Sequence, residues 1–273
     1  MISRNIIVSG GFDDLRSQHL RFLEAASKLG QLTVLLWPDA MLEALEGSPP
    51  KFPQAERAYV LRAVRFVSHV IALSAPIEPD ALPVISGAKP DVWADAFSQA
   101  TEPRRSFCEQ NGIMYHVIDK PDLAGFPVPA PTPTSPGRKK IVVTGCYDWF
   151  HSGHVRFFEE ASALGDLHVV IGHDANIRLL KGAGHPLIPQ DERRYVVGSI
   201  KFVKQALVSS GSGWLDADPE IQQLAPDIYV VNEDGDKGGK REYCEQRGIE
   251  YRVLKRTPAP GLPERTSTNL RGF

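Results

Sequence analysis

Two hydrophobic periods alternate along this chain. The β-branched run Ile141-Val142-Val143 stops at Gly145, apolar residues then recur at helical spacing (Val155, Phe158, Ala161, Leu164) as far as Gly165, and Leu167-His168-Val169-Val170-Ile171 returns to an extended pattern. A strand period that switches to a helical period and back predicts a βαβ unit. The alternation continues with a helix from about Asp191 to Phe202, a strand Ile228-Tyr229-Val230-Val231, a helix near Arg241 to Arg247 that stops at Gly248, and a strand Tyr251-Arg252-Val253-Leu254. The expected fold is α/β, with a Rossmann-like parallel sheet flanked by helices, and ligands belong beyond the C-terminal ends of its strands.

The same pattern occurs twice. Residues 6–30 align with residues 141–165 at a constant offset of 135, with 13 of 25 positions identical. The match resumes at an offset of 136, where Pro53 to Val60 pairs with Pro189 to Val196 and Phe107-Cys108-Glu109-Gln110 with Tyr243-Cys244-Glu245-Gln246. A repeat of this length predicts two tandem domains. Between them Pro127, Pro129, Pro131, Pro133 and Pro136 alternate with small residues, a composition that favours extended polyproline geometry. The expected organisation is a first domain over 1–119, a Pro-rich linker over 120–138 and a second domain over 139–273.

Composition narrows the function. A chain of 273 residues with 42% hydrophobic content can fill two cores. Its formal charge of −2, from 31 basic and 33 acidic residues, lacks the one-signed field of a nucleic-acid binder. There is no apolar run near the roughly 18 residues of a membrane span, and Met1 to Asn5 leads straight into the strand-like Ile6-Ile7-Val8, so a cytoplasmic protein without a signal peptide is expected. Cys108, Cys146 and Cys244 show no metal-knuckle or disulfide spacing and read as free thiols. His168, His173 and His185 could join His151 and His154 at a metal, but no carboxylate or thiolate completes a ligand spacing, so no protein-held metal is expected.

The chemistry concentrates in the second copy. Gly145-Cys146-Tyr147-Asp148-Trp149-Phe150-His151-Ser152-Gly153-His154 follows a strand and opens a helix, whose N-terminal N–H groups and positive dipole end suit phosphate. Histidines three apart share one face of the first turn, and Gly153 is read as keeping that face open for phosphate to approach the backbone. These residues resemble the H-x-G-H signature of the cytidylyltransferase-like nucleotidyltransferases. Gly-Cys-Tyr-Asp followed by His-x-Gly-His is most similar to ethanolamine-phosphate and choline-phosphate cytidylyltransferases, and tandem domains occur in the former. Further resemblances follow in the family's order: Lys181-Gly182 after the second strand, Glu192-Arg193 opening a helix, and Arg265-Thr266-Ser267-Thr268-Asn269-Leu270-Arg271 at the end.

The resemblance implies a nucleotidyltransferase that moves a nucleoside monophosphate from an NTP to a phosphorylated small molecule, a phospho-alcohol, phospho-amine or phospho-sugar, and releases pyrophosphate. It implies catalytic roles for His151, His154, Lys181 and Arg271, and nucleotide binding by Gly145, Cys146, Tyr147, Asp148, Gly153, Arg193, Thr266, Ser267 and Thr268. Magnesium would accompany the nucleotide, and a homodimer or a pseudo-symmetric monomer would be formed. CTP is favoured by the Gly-Cys-Tyr-Asp match. An adenylyltransferase acting on a sugar phosphate is the alternative, since Lys181-Gly182 to Pro186 also resembles heptose-phosphate adenylyltransferases, and a non-catalytic nucleotide-binding regulator is a third reading. Lys181 could instead be a solvated loop lysine, and Arg193 could be structural, because Arg57 repeats it. The loop Val231 to Lys240 departs from the family's glycine and acidic pair, which leaves base and acceptor open.

The first copy reads as silent. Arg16 stands where the second copy has His151, Gln18 where it has Gly153 and Glu46 near the position of Lys181, although His19 matches His154. Its apolar positions persist, so it should fold and serve in packing or dimerisation.

Overall fold

A computed structural model of the chain describes residues 4–84, 89–128, 136–266 and 270. The chain forms two compact units, residues 1–125 and 126–273. In chain order the first unit contains β1 (Asn5–Gly10), α1 (Ser17–Ser27), β2 (Gln31–Leu36), α2 (Asp39–Glu46), α3 (Gln54–Ala63), β3 (His69–Ala72), β4 (Val92–Ala96), α4 (Glu102–Asn111) and β5 (Met114–Ile118). The second contains β6 (Lys140–Gly145), α5 (Ser152–Ala163), β7 (Asp166–Ile171), α6 (Asp174–Lys181), α7 (Gln190–Gly198), β8 (Val203–Val208), α8 (Asp218–Leu224), β9 (Ile228–Asn232), α9 (Lys240–Arg247) and β10 (Glu250–Leu254).

Each unit is a five-stranded parallel sheet flanked by helices, in the order β3-β2-β1-β4-β5 for the first and β8-β7-β6-β9-β10 for the second. The opening strand is central in both. Successive connections run to one side through β7 and β8 and then reverse to β9, which leaves a crevice between the C-terminal ends of β6 and β9. Central strands are covered on both faces, so they read as continuous apolar runs: Ile141, Val142 and Val143 are fully buried, as are Val169, Val170 and Ile171. Val142, Val170 and Tyr229 pack against Ile221, Tyr243 and Cys244 from the flanking helices, and each such aliphatic side chain contributes about 1.5–3 kcal/mol by leaving water.

Three boundaries differ from the sequence reading. The helix from Asp191 stops at Gly198, where the Ser199 hydroxyl bonds back to the Tyr195 carbonyl at 2.8 Å and begins the turn into β8. Lys181, read as part of a glycine-rich loop, closes α6, and the loop begins at Gly182 with φ at 89°. The start of the Pro-rich segment belongs to the first unit: Lys120–Leu123 is a short 3-10 turn, and Arg21 of α1 donates to the Asp122 carbonyl at 2.7 Å. Among the described residues no helix is long and apolar enough to cross a membrane.

Candidate functional site

The crevice between β6 and β9 holds a cavity of ≈320 Å³. It is lined by Thr144 to Trp149 at and beyond the end of β6, by His151 at the N-cap of α5 with Gly153, His154 and Phe157 of that helix, and by Lys181 at the end of α6. Val231 and Asn232 at the end of β9, Asp234 and Gly235 after it, Lys240 at the start of α9, Arg256 after β10 and Thr266 complete it.

His151 is the N-cap of α5 and His154 lies three residues on, inside the first turn. Each imidazole turns its Nδ1 to the backbone. His151 Nδ1 accepts from the Gly153 N–H at 3.1 Å, and His154 Nδ1 accepts from the His151 N–H at 3.3 Å. A neutral ring that accepts at Nδ1 carries its proton on Nε2, so both rings are donors at their other edge. His151 Nε2 is buried and has no partner among the described residues. The helix N-terminus therefore differs from the sequence expectation. Its N–H groups are largely taken, because those of His154 and Val155 also reach the His151 carbonyl, at 3.0 and 3.3 Å. The positive end of the helix is instead passed through the two imidazoles to the cavity.

The rings are held by packing. His151 and His154 stack with centroids 4.0 Å apart, Phe150 also stacks on His154 at 5.5 Å, and Tyr147 meets His154 edge-on at 5.3 Å. Burial, with Arg256 and Arg265 nearby, pushes the His151 imidazole down to about 3. Burial and the neighbouring His151, Arg256 and Lys181 hold His154 well below the ordinary histidine range. Both are neutral at physiological pH.

Gly153 is required for a reason different from open access to the backbone. A Cβ built there would lie 2.9 Å from His151 Cε1 and 3.0 Å from its Nδ1, so any side chain would push the imidazole out of place. Gly145 is similarly constrained, because its Cβ would lie 2.7 Å from the Tyr147 ring. Tyr147 adopts φ of 53°, a left-handed conformation that is strained for an aromatic residue, and Phe12 repeats it at 50°. Asp148 fixes the next residue in place. Its carboxylate accepts the Leu187 and Ile188 N–H groups, each at 2.8 Å, tying the turn to the loop after α6. Asp13 clamps Lys51 and Phe52 in the same way in the first unit, at 2.6 and 2.9 Å. Cys146 lines the cavity, and burial raises its thiol, which stays protonated.

Arg193 is placed elsewhere. It is 1% exposed and makes four hydrogen bonds: to the carbonyls of Ile188 at 2.8 Å, Cys146 at 2.6 Å and Gly172 at 2.9 Å, and to the Asp174 carboxylate at 2.7 Å. Arg57 makes the equivalent set with Phe52, Gly11, Trp37 and Asp39. The structure thus gives Arg193 a bracing position behind the turn, outside the cavity lining. Thr266 reaches the lining, while Ser267, Thr268 and Arg271 lie outside the described residues.

Two cations escaped the sequence reading. Arg256 donates to the Arg265 carbonyl at 2.9 Å and pairs with Asp234. Lys240 donates to the Gly235 carbonyl at 2.7 Å, and burial lowers its ammonium. Both stand just beyond β9 or β10, and strand C-termini in a parallel sheet were the available signal. Among the described residues no group of three or more His, Cys, Asp or Glu side chains could hold a metal ion.

A family model described as Cytidylyltransferase-like matches residues 142–262. The chain is 36% identical over 120 residues to a FAD synthase of Ferroglobus placidus, covering 43% of this chain and 75% of that protein. It is 30% identical over 135 residues to a FAD synthase of Methanocella paludicola, covering 48% of this chain and 93% of that one. The bifunctional protein HldE of Citrifermentans bemidjiense is 35% identical over 124 residues, which are 44% of this chain and 25% of HldE. Parallel sheet, strand-end cavity and sequence similarity agree, and the chain belongs to the cytidylyltransferase-like nucleotidyltransferases.

Proposed function

We propose that the second unit catalyses attack by a phosphate oxygen of a small-molecule acceptor on the α-phosphorus of an NTP. The new bond joins acceptor oxygen to Pα, the bond from Pα to the bridging oxygen breaks, and pyrophosphate leaves with that electron pair. The observation that carries this reading is the pair of neutral imidazoles whose Nδ1 atoms are fixed by backbone N–H groups, leaving two Nε2–H donors for one cavity. Nucleotidyl transfer gains mainly from positioning and from offsetting charge on phosphate oxygens. His151 and His154 donate to the triphosphate as negative charge builds, and Lys181, Lys240 and Arg256 bring positive charge to the same cavity. Thr266, with Ser267, Thr268 and Arg271 as the resemblance implies, binds the leaving pyrophosphate.

Magnesium comes with the nucleotide in this reading. Asp148 and Asp234 line the cavity, but the first accepts two loop N–H groups and the second pairs with Arg256, so phosphate oxygens and water are the ligands available to the ion. When bound, it would offset phosphate charge.

The donor is proposed to be ATP. Similarity over 120 residues to proteins named FAD synthase outweighs the four-residue Gly145-Cys146-Tyr147-Asp148 match that favours CTP. CTP is the second reading, and a phosphorylated heterocycle-bearing alcohol or a sugar phosphate is the acceptor class. Pyrophosphate release measured with each of the four NTPs against FMN, sugar 1-phosphates, phosphocholine and phosphoethanolamine tests donor and acceptor together. Turnover with ATP at least tenfold above CTP is expected; the reverse ratio reinstates the cytidylyl reading. No release with any pair, while NTP still binds, would reduce the unit to a nucleotide-binding module.

Gly153→Ala gives a sharper test of the geometry. Alanine in a helix ordinarily adds about 0.5–1 kcal/mol over glycine, which offsets part of the cost of displacing the packed His151 ring, so the protein should still fold. The displaced His151 ring should nevertheless lower kcat by roughly tenfold or more, since small misplacements of reacting groups are costly. Full turnover in a folded Gly153→Ala protein would mean that the position of this imidazole is unimportant.

A further inference from the structure

The first unit keeps a cavity where the second holds its site, and it is the larger of the two, ≈510 Å³ against ≈320 Å³. It opens at the same strand ends and is bordered by β1, the first turn of α1, the segment after β4 and the 3-10 turn at Lys120–Leu123. Its charge has been removed. Arg16, in place of His151, pairs with Asp14 at 2.9 Å. Arg104, at the position of Lys240, is bound by both oxygens of the buried Asp95 at 3.0 and 2.9 Å and by Asp80 at 3.0 Å. Glu46 ends α2 where Lys181 ends α6. Among the described residues of the lining, Lys120 is the one lysine and there is no arginine.

What survives is suited to a flat, uncharged ligand. His19 Nδ1 accepts the Arg16 N–H at 3.1 Å, so its Nε2–H is left as a donor, just as in His154. Ser9, 6% exposed, accepts the Trp37 indole N–H at 2.7 Å and keeps its own O–H. Phe12, Phe22 and Phe97 line it with aromatic rings, and Gln18 and Gln99 with amides that can both donate and accept. Aromatic faces stack planar heterocycles, and amides match heterocycle edges on which donors and acceptors alternate. Volume and lining fall in the range of sites that enclose small organic molecules.

We propose that the first unit binds an uncharged nucleoside in this cavity, with the base between the phenylalanines and the His19 and Ser9 donors on its polar edge, and that it excludes triphosphates. This goes beyond the transfer reaction and does not depend on it. The test uses the full chain, titrated calorimetrically with adenosine, cytidine, guanosine and uridine, each beside its triphosphate. His19→Ala and the exposed-rim Ser98→Trp are compared with His154→Ala, and thermal melts verify folding. One nucleoside should bind, at least tenfold more weakly in His19→Ala and in Ser98→Trp and with unchanged affinity in His154→Ala. With the second unit already saturated by its triphosphate, the nucleoside should still bind, and any further triphosphate binding that His19→Ala removes should be at least threefold weaker than that of the nucleoside. Binding of none of the four, affinity that is lost in His154→Ala and kept in both first-unit variants, or a triphosphate preferred over its nucleoside at this cavity would each overturn the proposal.

Discussion

Replacing His154 by alanine is expected to lower kcat for pyrophosphate release by about 10²–10³, the range seen when one preorganised donor to a developing charge is removed. His151→Ala should cost a similar amount. The double variant should lose little more than either single one, because the rings stack 4.0 Å apart and His154 takes its Nδ1 partner from the His151 backbone, so they act as a unit. Apparent NTP affinity should change far less than kcat. The protonation state is separately measurable. In ring-proton NMR of the free protein, an ordinary imidazole shifts through pH 6.5, whereas the His151 signal should stay put until the pH nears 3 and that of His154 should likewise not move at 6.5. Lowering a histidine pKa on folding means that the unfolded chain takes up protons first. These residues therefore give their full stabilisation above pH 6.5 and lose it progressively as acid is added below that value. Either ring titrating near 6.5, or turnover within a factor of three of wild type in both single variants, would remove the two-donor mechanism.

How far this arrangement is legible in the sequence varies from residue to residue. The βαβ opening is plain because the strand is buried on both faces and the glycine that follows is forced by the Tyr147 ring, so composition and geometry coincide. The histidine spacing places both rings at a helix start, and the sequence could not show that the helix N–H groups would be spent on the rings themselves. That result depends on side-chain rotation, which a one-letter pattern does not carry. α6 and β8 pass unread for opposite reasons. α6 exposes Leu179 and Leu180, which blurs its apolar face, and only Ser199 to Phe202 separate α7 from β8, with Ile200 and Phe202 carrying the helix's apolar run on into the strand. Arg256 and Lys240 are invisible as site residues until strand register is known, because β10 pairs with β9 from Glu250 opposite Ile228 to Leu254 opposite Asn232. Only then do the residues beyond both strands share one cavity.

Arg193→Met should be the most destabilising of the substitutions considered. The guanidinium is 1% exposed, and its removal leaves three carbonyls and the Asp174 carboxylate without the donor they share. Breaking such a buried network by deleting one partner costs about 3–5 kcal/mol, against a total stability of about 5–15 kcal/mol for an ordinary domain. For a unit of this size, that corresponds to a fall in Tm of roughly 10 °C or more. Arg193→Lys should recover only part of the loss, since an ammonium cannot span acceptors fixed for a planar fork. Arg57→Met makes the same deletion in the first unit, where the cavity carries no nucleotide chemistry in the proposed reading, and it should destabilise to a comparable degree while leaving kcat of folded protein near wild type. The repeat thereby separates two explanations of one arginine. If Arg193 contacted nucleotide, its loss would lower turnover without lowering Tm, and the matching arginine in the first unit would have no reason to hold the same four partners. A brace for the turn that follows the first strand of each unit accounts for both copies. An Arg193→Met protein that melts with wild type and yet fails to turn over would return this residue to the nucleotide.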